Sequence, residues 1–438
     1  MSFRYVDNWT IALFIAVLPC CVGSRPPSAL SRKTPARAYR STIKEQFDDL
    51  EHIATPVQAT YYSIEETTSP IKTQDERVVR IAKKVCDHIS YPYPPNPEII
   101  RLLSEAEGMI SPTPVVAFGP KVNAELLSAN ELRSDHPQTP KNPLFTKKHY
   151  RLSGHSFCKQ LQRHIYLWFK KSVELHPIKR QISLHANARI QVRPVDQNAH
   201  VRVVYATPAK KKNNALGTEA ILEPKMKKHS DRWQSTHIRC DITGIYWVDI
   251  LVQKGKALQL AANFPIYCNT RPKLSANIST KWAIATDATQ IEDRLFHALN
   301  QFRKDRGLSP LRFSRALRGI ARHHSSDMNT NYFVGHESKK TGDASDRITK
   351  HGISFTTVRE NVARAYTVSA AIRDLRRSPA HLRNMLSEDV DFHAVGVKLD
   401  ESIFPPTMLI TQLYAEDEAS RLSRGSSGNP RFRSIRIK

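Results

Sequence analysis

Apolar and polar residues recur with different periods along this 438-residue chain, and the changes of period divide it. From about 76 to 175 the pattern is mixed. Val78, Val79, Ile81, Ala82, Val85, Cys86 and Ile89 share one helical face. Asn96-Pro97 opens a second helix, a cap residue followed by proline at the first helical position, and Gly108 ends it. Pro114–Phe118 and His164–Phe169 read as buried strands, so this stretch is predicted to be a small α/β unit. From about 176 to 270 the period is two. Ile182/Leu184, Ile190/Val192, Val201/Val203/Tyr205, Tyr246/Val248/Ile250/Val252 and Phe264/Ile266/Cys268 alternate with polar partners. Asp241, Gly244 and Tyr246 are spaced like a tyrosine corner, in which the hydroxyl bonds back to nearby backbone. The prediction is an immunoglobulin-like β-sandwich, a module whose usual roles are spacing and adhesion.

After residue 288 the helical period returns. Thr289 and Glu292 read as a capping box for a helix that reaches about Arg306, with Ile291, Leu295, Ala298, Leu299 and Phe302 on its apolar face. Gly307 stops it. Ser314 caps a second helix, with Leu317, Ile320, Ala321, His324 and Met328 on one face, and the chain leaves it near Asn331. A third starts after Thr367, and Pro379 limits its length. Ala394–Leu399 and Met408–Tyr414 read as strands, and His393 is expected at a strand edge. Helices and a terminal strand pair predict helix–sheet–helix layering at 288–418, an α-β-α sandwich. The whole is a multidomain α+β chain.

The remaining stretches connect these units. Residues 1–23 read as a signal peptide: Arg4, then the apolar run Ile11–Leu18, then small residues before Ser24. A lipid-modified Cys20 or Cys21, or a short retained anchor, are the alternatives. Residues 24–75, rich in Ser, Pro, Thr and Arg, read as a disordered linker with transient helix near Ile43–Ile53. Residues 271–287 read as a second linker, and 419–438 as a basic disordered tail. The expected location is secreted or at the cell envelope. Without Cys20 and Cys21 four cysteines remain, and they allow three pairings. Pairing within units gives Cys86–Cys158 and Cys240–Cys268; four free thiols are the other reading.

A formal net charge of +25 invites a nucleic-acid reading, but its distribution opposes it. Residues 288–418 hold 19 Lys+Arg against 17 Asp+Glu. The excess lies in the tail and the earlier units, as in Lys210-Lys211-Lys212, without an aromatic stacking surface or a groove-reading helix. No specific nucleic-acid partner is expected. Anionic envelope polymers or phospholipid headgroups fit an exported basic surface.

The chemistry concentrates in the last third. His336, Glu360 and His381 stand in ordered segments that each follow or end a readable helix, so their convergence into a metal site or polar cleft is expected. Glu360-Asn361 reads equally as a tie between a loop and backbone amides. No serine or cysteine carries an adjacent base that would mark it as a nucleophile, and no cysteines have metal-site spacing.

Residues 288–416 resemble the CAP superfamily, the SCP-like extracellular domain of pathogenesis-related-1 type, in its bacterial branch. The motifs are Asn300-x-x-Arg303 with Gly307-Leu308 and Leu311, Ala321-x-x-His324-Ser325-x-Asp327-Met328, and Tyr332-Phe333-x-x-His336. Arg347-Ile348 with Gly352, Glu360-Asn361-x-Ala363 and Ser378-x-x-His381-x-x-Asn384-Met385-Leu386 follow. Val395-Gly396-Val397 and Thr411-Gln412-Leu413-Tyr414 complete the series. The resemblance implies a cleft of two histidines and two glutamates that takes a divalent metal such as zinc. By motif the histidines are His336 and His381 and the first glutamate is Glu360. The second falls on Ser378, which leaves one carboxylate. Ser378, Asn361 and His324 are expected to line the cleft, although His324, on an apolar helix face, also reads as a hydrogen-bonded core residue. Two imidazoles with water hold zinc weakly, and Glu360 then serves as an outer partner or as a base on bound water. Three functions follow: a cleft that binds a metal or a small or extended ligand, a metal-assisted hydrolase of peptide, ester or glycan, and an adhesion protein with an inactive cleft.

Overall fold

The computed structural model describes residues 50–64, 75–88, 97–110, 115–119, 150–209, 211–212, 215–255, 257–279, 287–353, 355–401 and 407–416. The expected signal peptide, the basic tail, Cys20, Cys21 and Lys210 lie outside these residues, as does most of the expected first linker.

β1 (Leu50–Thr55) and β2 (Tyr61–Ile64) precede α1 (Glu76–Cys86) and α2 (Pro97–Ala106). Asp75 caps α1 by accepting from the Arg77 N–H at 2.9 Å, and Val78, Ile81, Ala82, Val85 and Cys86 bury the expected face. β3 (Val115–Gly119), β4 (Tyr150–Cys158) and β5 (Arg163–Lys170) form an antiparallel sheet in the order β3-β5-β4. Cys86 and Cys158 form a disulfide between α1 and β4.

The alternating stretch forms β6 (Val173–Lys179), β7 (Gln181–Ile182), β8 (Asn187–Pro194) and β9 (His200–Ala206). β10 (Lys211–Lys212), β11 (Ala215–Leu216), β12 (Ile221–Leu222) and β13 (Lys227–Lys228) are short. β14 (Gln234–Arg239), β15 (Gly244–Lys254), β16 (Ala257–Cys268) and β17 (Leu274–Ser279) follow. Two five-stranded sheets result, β12-β9-β15-β16-β7 and β13-β14-β8-β6-β2. Tyr246 Oη accepts from the backbone N–H groups of Asp241 at 3.1 Å and Ile242 at 3.0 Å. Cys240 and Cys268 form the second disulfide.

Four expectations change here. Residues 50–55 are strand, where transient helix was expected up to Ile53, and they pair with β17. β2, inside the stretch expected to be linker, completes a sandwich sheet by pairing with β6. Its Tyr62 and Ile64 are buried, too short a run to stand out from the polar composition around it. The second linker likewise contains β17. A single apolar core, from Val78 and Leu103 to Ile190 and Phe264, also runs through both the α/β unit and the two sheets.

The C-terminal unit comprises α3 (Ala288–Lys304), β18 (Arg312–Phe313), α4 (Arg315–Thr330), α5 (Ala344–Lys350) and β19 (Thr357–Ala365). α6 (Val368–Arg377), α7 (Pro379–Met385), β20 (Phe392–Asp400) and β21 (Thr407–Glu416) complete it. Its sheet has the order β18-β20-β21-β19, which leaves β19 at an edge. Alternation along β20 sets the layers. Val395 and Val397 pack with Ile291, Leu295 and Ala371 of α3 and α6. Ala394 packs with Leu317, Ile320 and Ala321 of α4. Helix, sheet and helix are stacked as expected.

Glu292 does not close a capping box. Asp287 caps α3, accepting from the Thr289 N–H at 2.8 Å. Glu292 is instead buried, bound by Arg322 at 2.8 and 2.6 Å, and it accepts from the Val397 N–H at 3.0 Å. His393 is not at a surface edge. It is buried, donates from Nδ1 to the Leu413 carbonyl at 3.0 Å, and stacks on Tyr414 and Phe296. Burial depresses its pKa to about 3. Glu360 stands within β19, not beyond a helix.

The C-terminal unit rests on the sandwich. Ala206 of β9 joins the cluster of Leu299, Phe302 and Leu382. Arg306 meets Glu219 at 2.8 and 2.5 Å, and Arg383 meets Glu223 at 3.3 Å.

Gly396 is where α4 touches the sheet: a Cβ there would lie 2.1 Å from Arg322 N and 2.2 Å from the Ala321 carbonyl carbon. Both are helix backbone and cannot swing aside. Gly396→Ala is predicted to cost more than about 3 kcal/mol in denaturant unfolding, or to prevent folding. His393 makes a second prediction. Its folded pKa lies below the usual 6.5, so its contribution is present above that pH and is lost as pH falls from 6.5 toward 3. His393→Phe keeps the stacking and is expected to flatten the acid limb of stability against pH, by at most about 1.4 kcal/mol per pH unit.

Candidate functional site

β19 presents Glu360 and Asn361 to opposite faces of the sheet. Glu360 pairs across from Leu413, on the face covered by α4. Asn361 pairs across from Gln412 and points toward α7. The candidate site lies where these two layers meet at β19.

On the first face, Glu360 is buried and both its oxygens are engaged. Oε1 lies 3.0 Å from His336 Nδ1, and Oε2 accepts from Arg347 Nη2 at 2.5 Å. Arg347, on α5, also donates to the carbonyls of His336 at 3.2 Å and Gly342 at 2.7 Å. One guanidinium therefore fixes both the carboxylate and the loop that carries the imidazole. Burial raises the Glu360 pKa. The hydrogen bond from His336 and the charge of Arg347 outweigh it, and the carboxyl stays below its usual range. An ionised carboxylate has no proton to donate. His336 therefore donates from Nδ1, and its Nε2 is left as the free acceptor on a side chain that is 38% exposed.

His324 is buried and points its Nε2 to the Gly335 carbonyl at 2.9 Å, 4.0 Å from Glu360 Oε1. Burial lowers its pKa, which keeps the ring neutral. It holds the turn before His336 and does not line an open cleft, so its core reading is the better one.

On the second face, Asn361 donates to the His381 carbonyl at 3.2 Å, Gln412 Oε1 at 3.2 Å and Tyr414 Oη at 3.2 Å. Asn384 of α7 donates to the Glu360 carbonyl at 2.9 Å and Asn361 Oδ1 at 2.8 Å. These amides fasten α7 to β19 beside Glu360. Asn361 serves as this fastener and is fully buried, not a wall of the cleft.

His381, on α7, has an Nδ1 sealed from solvent with no hydrogen-bond partner. Burial lowers its pKa to about 4, the nearby His336 adds to the effect, and the Val362 backbone only partly offsets them. Glu360 and His336 are in contact, and His381 is tied to β19 through its carbonyl, which accepts from Asn361 on the other face. Ser378 does not join them. Its hydroxyl donates at 2.6 Å to Asp249 of the sandwich, because the N-terminus of α7 packs there. Among the described residues no three His, Cys, Asp or Glu side chains converge as a ready ligand set.

Two partners escaped the sequence. Arg347 lies in one of the family motifs, yet nothing local marks it as the counter-charge of Glu360. Asp249 is an acid in a strongly apolar strand, Tyr246–Val252, and that mismatch is the available signal.

Residues 296–404 match the family model described as CAP, the Cysteine-rich secretory protein family. The C-terminal third of the chain is a CAP domain. The matched segment contains no cysteine, and both disulfides precede it. Two Bacillus subtilis (strain 168) proteins are similar. One is the membrane protein YlbC, 31% identical over 110 residues, which are 25% of this chain and 32% of the relative. The other is YkwD, 27% identical over 132 residues, 30% of this chain and 51% of the relative. The chain thus spans about a third and about half of these relatives' lengths. Similar solved structures include an outer surface protein from Borrelia burgdorferi, at 20% identity and TM-score 0.28, covering 30% of this chain and 96% of that one. Another is an extracellular protein containing an SCP domain from Bacillus anthracis str. Ames, at 15% identity and TM-score 0.27, covering 56% and 86%.

Arg347→Met in the CAP domain removes the counter-charge and leaves the Glu360 carboxylate buried. Its pKa is predicted to rise above the wild-type value, read by carbon NMR of the side-chain carboxyl. Stability is expected to fall by roughly 3 kcal/mol.

Proposed function

We propose that the CAP cleft is a binding site in which His336 and His381 hold a ligand, a divalent metal such as zinc being the first candidate. The observation that carries this reading is the contact between His336 and Glu360. It fixes the tautomer, turns Nε2 outward as an electron-pair donor, and supplies the outer carboxylate that a ligating imidazole commonly has on its other nitrogen. The donor set fits in two further respects. His381 is held neutral, as a ligand must be, and its Nδ1 is unanswered within the protein. Two imidazoles leave the other positions of a tetrahedral ion to water, so the ion would be weakly held. Bound there, it would supply a Lewis acid.

Hydrolysis is the weaker reading. A carboxylate with a depressed pKa and both oxygens engaged is a poor proton acceptor, so Glu360 orients His336 better than it activates water. In the same proposal the chain is exported to the cell envelope or beyond. No helix among the described residues is long and apolar enough to cross a membrane. The two-sheet unit, with its tyrosine corner, acts as an immunoglobulin-like spacer, and the excess basic charge meets anionic envelope polymers or lipid headgroups.

Zinc titration by calorimetry tests the cleft. Wild type is expected to bind one ion weakly, and His336→Ala with His381→Ala to abolish it. Glu360→Gln should weaken binding roughly tenfold or more. A double histidine variant that binds like wild type overturns the proposal. Turnover on peptide, ester or glycan panels that is lost in Glu360→Gln would favour the hydrolase. Binding to anionic vesicles should weaken steeply with added salt; salt-independent binding would remove the charge from the account.

A further inference from the structure

Asp249 is fully buried in the sandwich, at the middle of β15. Its cross-strand neighbour is Asn263 of β16, whose Nδ2 donates to Asp249 Oδ1 at 2.8 Å. Asp249 Oδ2 faces the CAP domain. It accepts from Ser378 Oγ at 2.6 Å and from the Ala380 N–H at 3.1 Å. Asn263 Nδ2 also donates to the Arg377 carbonyl at 3.0 Å. This acid–amide pair therefore grips three consecutive features: the last carbonyl of α6, the N-cap residue of α7, and an early α7 amide. Ser378 makes no capping bond of its own to α7. The residue after Ala380 is His381.

We propose that Asp249 is a positioning residue for the CAP cleft: the sandwich caps α7 from outside the CAP domain and thereby sets the placement of His381. A helix N-terminus leaves amides that need an acceptor, and a serine in the cap position ordinarily provides it. Here the serine turns away, and a carboxylate on another unit takes over. α7 is only seven residues long and begins with Pro379, so it has little stability of its own. It is fixed on one side by the amides of Asn361 and Asn384 and on the other by Asp249. The position where the CAP resemblance places a second cleft carboxylate thus faces the sandwich in this chain.

The inference rests on the proposed cleft only for its metal readout. The test uses the full chain with histidine-selective carbon labelling. Asp249→Asn keeps the volume but presents an amide N–H to groups that are already donors. The His381 imidazole cross-peak is expected to move in Asp249→Asn, and to a smaller extent in Ser378→Ala. It should stay in place in Glu219→Gln, which breaks a different contact between the same two units. The dissociation constant for zinc is expected to rise roughly tenfold or more in Asp249→Asn alone. An unmoved His381 signal in folded Asp249→Asn overturns the inference. An equal shift in Glu219→Gln also overturns it, because the effect would then be general to the interface. If Asp249→Asn does not fold, Ser378→Ala and Asn263→Ala decide by the same signal. If wild type binds no zinc, the cleft proposal fails and the His381 signal alone judges the positioning role.

Discussion

A carboxylate removed from water must be answered by donors, and three such acids tie this structure together. Glu292 joins α3 to Arg322 of α4 and closes part of the open edge of β20. Glu360 joins β19 to α5 and to the loop of His336. Asp249 joins the sandwich to the corner between α6 and α7. In each case the acid links elements distant in sequence. Apolar packing brings these elements together but tolerates sliding; a buried charge with directional partners does not.

The same division bears on the proposed cleft. Its chemistry is set by Glu360, whose engaged oxygens make it a fixed electrostatic partner. Of the two imidazoles, His336 is partly open to solvent and oriented by charge, whereas His381 is half-buried, with its Nδ1 out of solvent and its pKa depressed. As the proposed ligand pair they would be asymmetric, one accessible and one largely desolvated.

Much of the CAP domain was legible in the sequence because helical period and caps are local. Ser314 and Thr367 cap helices as their context indicates. The contact between His336 and Glu360 joins two of the ordered motifs. What failed was non-local. Glu292 has the spacing of a capping box, but the Arg322 guanidinium and the Val397 amide compete more strongly for it. His393 looks like an edge residue because nothing local announces the stacking of Tyr414 and Phe296. The orientation of Ser378 depends on a strand 129 residues away. β1 and β2 are too short for their period to emerge from polar surroundings, and only their partners make them strands.

The pairing of β1 with β17 has a temporal side. Thr55 lies opposite Leu274, so the first strand waits for a partner made about 220 residues later. Until then its edge is unsatisfied, and so is that of β2 until β6 is made. Loop closure over that span is slow, and exposed strand edges invite pairing with other chains. A polypeptide emerging end first would therefore pass through a stage in which the front segment needs protection. The last unit could not settle on its sheet until that long circuit had closed.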